Sequence, residues 1–127
     1  MFSHVTVGSN DIQRARRFYD GIAGALGLVR HAESADAAGY GRPDGRPQLW
    51  IVRPLDRKAA TAGNGVTIGL EATNRRAVDA AYAAALAAGG ADEGGPGLRT
   101  HYHPNYYGAY VRDPDGNKVC IVCHKPV

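Results

Sequence analysis

A histidine at the head of the chain, two cysteines near its end and a His/Tyr-rich segment before them are the residues best equipped for chemistry. The imidazole of His4 can move a proton or ligate a metal near neutral pH, or stand simply as a hydrogen-bonded polar group on the wall of a site. Cys120 and Cys123 lie in the run Val119-Cys120-Ile121-Val122-Cys123, whose β-branched character reads as a strand. On a strand, residues three apart are separated by about 10 Å and face opposite ways, too far to bridge. They are therefore expected as two free thiols of a reducing compartment. Cys120 reads either as a small buried residue that packs as a hydrophobe or, if ionised, as a nucleophile. The segment His101-Tyr102-His103-Pro104 precedes Tyr106 and Tyr107. Placed on a strand, His101 and His103 share a face as a metal pair would, but Pro104 ends the strand and no carboxylate accompanies them. Alternatively both line the mouth of a binding site with Tyr102, Tyr106 and Tyr107, where rings stack on a planar molecule and hydroxyls orient an oxygenated one. A Tyr-rich edge equally suits a subunit interface. Glu71 reads as a base or, at a strand end, as a solvated charge.

Other chemistries are excluded by absence of their motifs. There is no Gly-rich phosphate loop, Walker motif or dinucleotide fingerprint, and the pairs Gly89-Gly90 and Gly94-Gly95 flank helix and strand ends where backbone geometry explains them. The formal charge is +3, yet Arg14, Arg16 and Arg17 read as a solvated helix face and no basic stripe is interleaved with aromatics. Nucleic acid is not expected as a partner. No uncharged apolar stretch nears the ~20 residues of a membrane helix. The opening residues lack a basic segment followed by an apolar one, so the expected location is cytoplasmic.

The elements that position these residues follow from periodicity. Ser3 to Gly8 alternates as a half-buried strand. Asn10 or Ser9 then caps a helix carrying Ile12, Ala15, Tyr19, Ile22 and Leu26 at helical spacing, and Gly27 ends it. Strands are expected over 28–32, 37–41 and 48–53, the last two separated by Arg42-Pro43-Asp44-Gly45. Residues 54–64 carry Pro, Gly and charge without period and read as a connector. The order then repeats: a strand over 66–71, a helix capped by Asn74 or Thr73 and running to about Ala88, a strand near Leu98 to Tyr102, and a hairpin of 106–112 and 118–123 around Asp113-Pro114-Asp115-Gly116-Asn117. Shifting by 63 residues superposes Thr67 on His4, Tyr82 on Tyr19 and Gly90 on Gly27, the signature of a duplication. The expectation is one α+β domain over 1–127, made of βαβββ modules at 1–53 and 65–127, whose strands curl into a mixed sheet with an open concave face. Strand parity lines that face with His4 and Thr6, Gln48 and Trp50, Thr67 and Gly69, and Cys120 and Val122.

The opening His4-Val5-Thr6-Val7, the helix with Arg17-Phe18-Tyr19 leading to Leu26-Gly27-Leu28, the restart Gly65-Val66-Thr67-Ile68 and the closing Asp113–Asn117 hairpin together resemble the vicinal oxygen chelate superfamily. This is the group of glyoxalase I, bleomycin-resistance protein and extradiol dioxygenases. The tail, with His101, His103, Tyr106, Tyr107 and Val122-Cys123-His124, is similar to small bacterial glyoxalase-like proteins. The resemblance implies one divalent metal in the concave face, with lyase, isomerase or dioxygenase chemistry at adjacent oxygens. Carried over by position, its ligands fall on His4, which matches, and on Trp50 (with Gln48 two residues away), Thr67 and Cys120, which depart. A hard cation needs anionic oxygen or imidazole ligands, and Thr and Trp supply neither. The metal site is thus expected to be degenerate. In that geometry His4 and Cys120 belong to one cluster and are the catalytic candidates, while Gln48, Trp50, Thr67, His101, Tyr102, His103 and Tyr107 are the candidates for binding substrate. The reading is a glyoxalase-like protein that takes a small organic molecule into its concave face. The alternative is metal-free sequestration of a hydrophobic or cationic compound, as in bleomycin-resistance proteins, and a third reading is a structural dimer without ligand. A homodimer is expected from the resemblance and from the open sheet edges, which need covering.

Overall fold

The computed structural model describes residues 1–127. Strand β1 (Val5–Gly8) leads into α1 (Ile12–Leu26), followed by β2 (Val29–Glu33), β3 (Ala37–Gly41) and β4 (Leu49–Val52). The second half runs β5 (Ile68–Glu71), α2 (Arg75–Ala87), β6 (Ala91–Leu98), β7 (Tyr107–Arg112) and β8 (Lys118–Cys123). No helix is long and apolar enough to cross a membrane.

Helix α1 buries the periodic residues Ile12, Ala15, Tyr19 and Ile22, together with Phe18 and Ala23. It stops at Gly27, whose φ of 72° is the left-handed conformation glycine adopts at least cost. Its cap is Asp11, which accepts from the Arg14 amide at 3.0 Å, rather than Ser9 or Asn10. Ser9 instead accepts from the Asp11 amide, and Asn10 spends its side chain on both backbone groups of Ala60, tying the connector to the helix start. Helix α2 is capped by Asn74, which accepts from the Ala77 amide at 2.8 Å.

One strand lies earlier than the sequence suggests. Residues 91–98, Ala-Asp-Glu-Gly-Gly-Pro-Gly-Leu, read as breakers, yet they pair with β7, and two register shifts absorb the glycines. The Arg99 guanidinium donates to the carbonyls of Gly95, Gly97 and Gly108 and so satisfies the interrupted ladder. The segment 99–106, expected to begin as a strand, is a pair of turns closed by the Tyr102 and Tyr106 amides. His101 and His103 therefore do not alternate along a strand face.

Each half is a four-stranded mixed sheet, in the orders β1-β4-β3-β2 and β5-β8-β7-β6. The first and last strand of each half run parallel at its centre-to-edge pair. These are the two βαβββ units and the α+β class that the repeat implies. Helix α1 lies on the first sheet, α2 on the second, and the helices pack on one another, so one core runs through both halves. Close approach is possible because the contact residues are small: a Cβ on Gly21 would meet that of Ala84 at 3.4 Å. Phe18, fully buried at this junction, contributes about 1.5–3 kcal/mol by its burial. The second seam is polar: Asn117 donates to the Gly8 carbonyl at 2.9 Å, and Asp115 accepts from the Asn10 amide and from Arg14.

No strand pair joins the two sheets. Because the helices sit together, the helix-free face of each sheet turns outward from that shared layer. One chain presents two half-walls, with β1 and β5 each keeping an unpaired edge.

Candidate functional site

On β8 the residues Val119, Ile121 and Cys123 belong to the core, and Cys120 and Val122 do not. Lys118, Cys120, Val122 and, by the same parity, His124 face the helix-free side. Across the ladder Tyr110 pairs with Cys120 and Gly108 with Val122. Tyr106, carried in from the preceding turn, folds back over this face. Its hydroxyl lies 2.8 Å from that of Tyr110 and 3.3 Å from the Cys120 Sγ. The thiol is consequently buried although it points away from the core. Gly108 makes room: a Cβ there would stand 3.0 Å from the Tyr106 ring. Desolvation first, then the Cys120 thiol, raises the pKa of Tyr106. Tyr110 is pushed well above the usual phenol range by desolvation and its bond to Tyr106. Both phenols stay neutral across the physiological range; one hydroxyl proton is spent on the bond between them, which leaves at most one O–H donor for an oxygenated ligand.

Beside this chain of hydroxyl and thiol groups, His103 Nε2 lies 2.9 Å from His124 Nδ1. The Asn105 amide donates to His103 Nδ1 at 3.1 Å. Donor counting then fixes the tautomers: with Nδ1 accepting, His103 carries its proton on Nε2 and donates it to His124, whose own proton is on Nε2. The two rings meet end to end through this bond, nearly coplanar at 27° with centroids 5.1 Å apart, and Tyr106 meets both edge-on. Tyr102 leans on Tyr106 at 4.8 Å and His101 on Tyr102 at 4.2 Å. Five rings thus touch, gathered on Tyr106, and Tyr102 among them is 60% exposed. Tyr107 is not among them. It sits on the opposite face, donating to Asp79 on α2 at 2.6 Å with the Arg75 guanidinium over its ring.

The first sheet presents its own half. His4 is exposed and bonded only to the Ser3 hydroxyl, at 2.9 Å. Trp50 packs against Gly39, where a Cβ would come within 2.8 Å of its ring. Gln48 and Thr67 are exposed. His4, Gln48 and Trp50 belong to the first half-wall, and Thr67, Cys120 and the ring group to the second. Within one chain the structure does not bring them together.

The four positions that match the metal ligands of the resembling family hold an imidazole, an indole, a hydroxyl and a thiol. No three His, Cys, Asp or Glu side chains anywhere come together to hold an ion. This donor set does not fit a hard divalent cation. Sequence reasoning passed over Tyr110, Lys118 and His124 as site residues. The signal was present, since period-2 counting from Cys120 reaches 118 and 124, and the ladder partner of Cys120 is Tyr110.

Residues 1–121 match the Glyoxalase/Bleomycin resistance protein/Dioxygenase superfamily. Among solved structures, a glyoxalase/bleomycin resistance protein from Albidiferax ferrireducens T118 is 40% identical over 99% of both chains, with a TM-score of 0.87. A glyoxalase-related enzyme from Fulvimarina pelagi is 19% identical over 97% of this chain and 87% of its own, with a TM-score of 0.74. The bleomycin resistance determinant encoded on the transposon Tn5 is 16% identical over 98% of both, at 0.64. The last two show the fold alone. No curated protein matches. The matched span, the 40% identical relative and the paired βαβββ units lead to one conclusion: this chain belongs to the glyoxalase/bleomycin resistance protein/dioxygenase superfamily.

Proposed function

We propose that this protein binds a planar, oxygenated small organic molecule without a metal. The site comprises the helix-free face of the second sheet in one protomer and that of the first sheet in a second copy. The carrying observation is the group of five contacting rings centred on Tyr106, whose hydroxyl pairs with that of neutral Tyr110. Rings of this kind stack a flat ligand, and paired hydroxyls fix its oxygens. The second copy is supported by the half-walls: β1 and β5 are open edges, and a two-fold pairing would cover them while setting His4 and Trp50 opposite Cys120 and Tyr106. A location in the cytoplasm accords with two unbridged thiols.

Lyase or dioxygenase chemistry of the family's kind needs an electrophile at adjacent oxygens, and the donor set described above supplies a poor one. Binding, with His4 and Cys120 as polar wall groups, is therefore the reading the residues support best. A thermal-shift screen of aromatic and oxygenated compounds in the presence of EDTA tests it. Concentration-dependent stabilisation of the metal-free protein is expected, because a ligand bound only to the native state raises the melting temperature. Stabilisation only on adding a divalent ion, lost in His4→Ala, overturns it.

A further inference from the structure

Resting on that reading, we infer that the ligand is an aromatic anion, its negative oxygen held by Lys118 beside the Tyr106–Tyr110 hydroxyls. The Lys118 ammonium stands 5.4 Å from the centroid of Tyr110, on the ring whose hydroxyl meets Tyr106. It takes part in none of the ion pairs of the molecule. The other charges near it are committed. Arg99, also 5.5 Å from that ring, gives its donors to three carbonyls. Arg112 and Glu93 are closed on each other at 2.6 Å, and the Lys118 charge adds a smaller pull to the one by which Arg112 holds the Glu93 carboxyl below its ordinary pKa. The acid on this face of β5, Glu71, lies beside Val122, roughly 13 Å along β8 from Lys118 at strand spacing. Taken together, Lys118, Arg99 and Arg112 outweigh Glu93, so the face around the two hydroxyls is cationic. The ammonium of a half-buried lysine next to neutral phenols suits a carboxylate, phenolate or enolate oxygen, because charge-assisted bonds are the strong ones. The ring group then stacks the aromatic body. A cationic ligand would meet Lys118 and Arg99 head-on.

Isothermal titration with 2-naphthoate, its neutral isostere 2-naphthamide and the cation 2-naphthylmethylammonium tests this. The carboxylate is expected to bind at least about tenfold more tightly than the amide, the margin of one charge-assisted hydrogen bond. The margin should shrink with added salt. Lys118→Met should remove it, so that carboxylate and amide bind that variant alike, and Lys118→Arg should keep most of it. Carboxylate binding no tighter than the amide or the cation overturns the anion assignment and leaves the aromatic site standing. Discrimination that survives in Lys118→Met overturns the role of Lys118. Failure of all three probes to bind overturns both this inference and the reading on which it rests. The wild-type comparison needs no variant, so misfolding of a substituted chain leaves the test intact.

Discussion

The Tyr19 hydroxyl, on the helix of the first half, donates a 2.6 Å hydrogen bond to Asp113 Oδ2, at the head of the last hairpin of the second. Both residues are buried, and the same carboxylate accepts from Asn117 Nδ2 and from the amides of Asp115 and Asn117. One side chain thus organises the 113–117 turn and is held by the opposite half of the molecule.

Tyr19→Phe should cost about 1–3 kcal/mol, the range for a buried group that loses its partner, measured by urea denaturation. The pH dependence has a definite sign. Burial, with the nearby Asp113 charge, raises the Tyr19 pKa well above its ordinary value, so the folded state holds the proton more tightly. That stabilisation is complete below the unfolded pKa of about 10 and is lost as pH rises beyond it. Wild-type stability should fall above pH 10 more steeply than that of Tyr19→Phe. Parallel curves would refute the assignment.

Gly90 tests the seam between the helices. A Cβ there would lie 2.5 Å from the Phe18 ring and 2.8 Å from the Ala85 carbonyl. Neither neighbour can retreat within a packed core, so Gly90→Ala should destabilise by about 1–3 kcal/mol through overpacking. Gly24→Ala, with open space at its Cβ, should be neutral or stabilising, since alanine is the better helix former. Thermal unfolding of the pair checks both signs.

The helix of the first half was legible because its apolar residues recur at one period and a glycine closes it. Its cap was not, since Ser9, Asn10 and Asp11 are all good cap residues and only the tertiary bonds of Asn10 to Ala60 decide among them. Strand β6 was hidden for a related reason: pairing with β7 and the Arg99 staple hold a Gly- and Pro-rich stretch that has no strand preference of its own. Parity puts Cys120 on the helix-free face, where it lies buried, but carries no sign of the Tyr106 ring that covers it. His103 meets His124 rather than His101 because a turn, not a strand, carries it. Whether the two half-walls meet across two chains leaves no trace in composition, since the same residues line the wall either way.

The cover over Cys120 is a side chain, and removing it should change thiol reactivity. Both cysteines are buried in the folded protein, so each should react slowly with an aromatic disulfide reagent. Tyr106→Ala should speed labelling of Cys120 by at least about tenfold and leave Cys123, on the helix face, slow, because access limits a buried thiol. Peptide mapping of the labelled protein distinguishes the two. Equal acceleration at both would mean general loosening instead of a local cover.

The same turn makes a spectroscopic prediction. The Asn105 amide leaves His103 Nδ1 without a proton, and His124 Nδ1 must accept. Nitrogen NMR at neutral pH should find both rings in the Nε2–H form, with one Nε2 proton strongly hydrogen-bonded. In His124→Ala the His103 Nε2 proton should shift upfield as it passes to water. An Nδ1–H tautomer at His103 would contradict the arrangement.

Complementation decides whether the binding site spans two copies. Trp50→Ala should cripple the half-wall of the first sheet and Tyr106→Ala that of the second, so each homodimer should bind poorly. If the site joins the first sheet of one protomer to the second sheet of its partner, a heterodimer of the two variants has one doubly damaged site and one with both walls intact. Random reassortment of an equal mixture makes half the dimers mixed, and so restores about a quarter of the wild-type binding capacity at wild-type affinity. If each chain built its site alone, every site in the mixture would keep one lesion and nothing would return. Unfolding and refolding the two variants together, followed by titration with the same aromatic ligand, separates these outcomes without knowledge of the natural one.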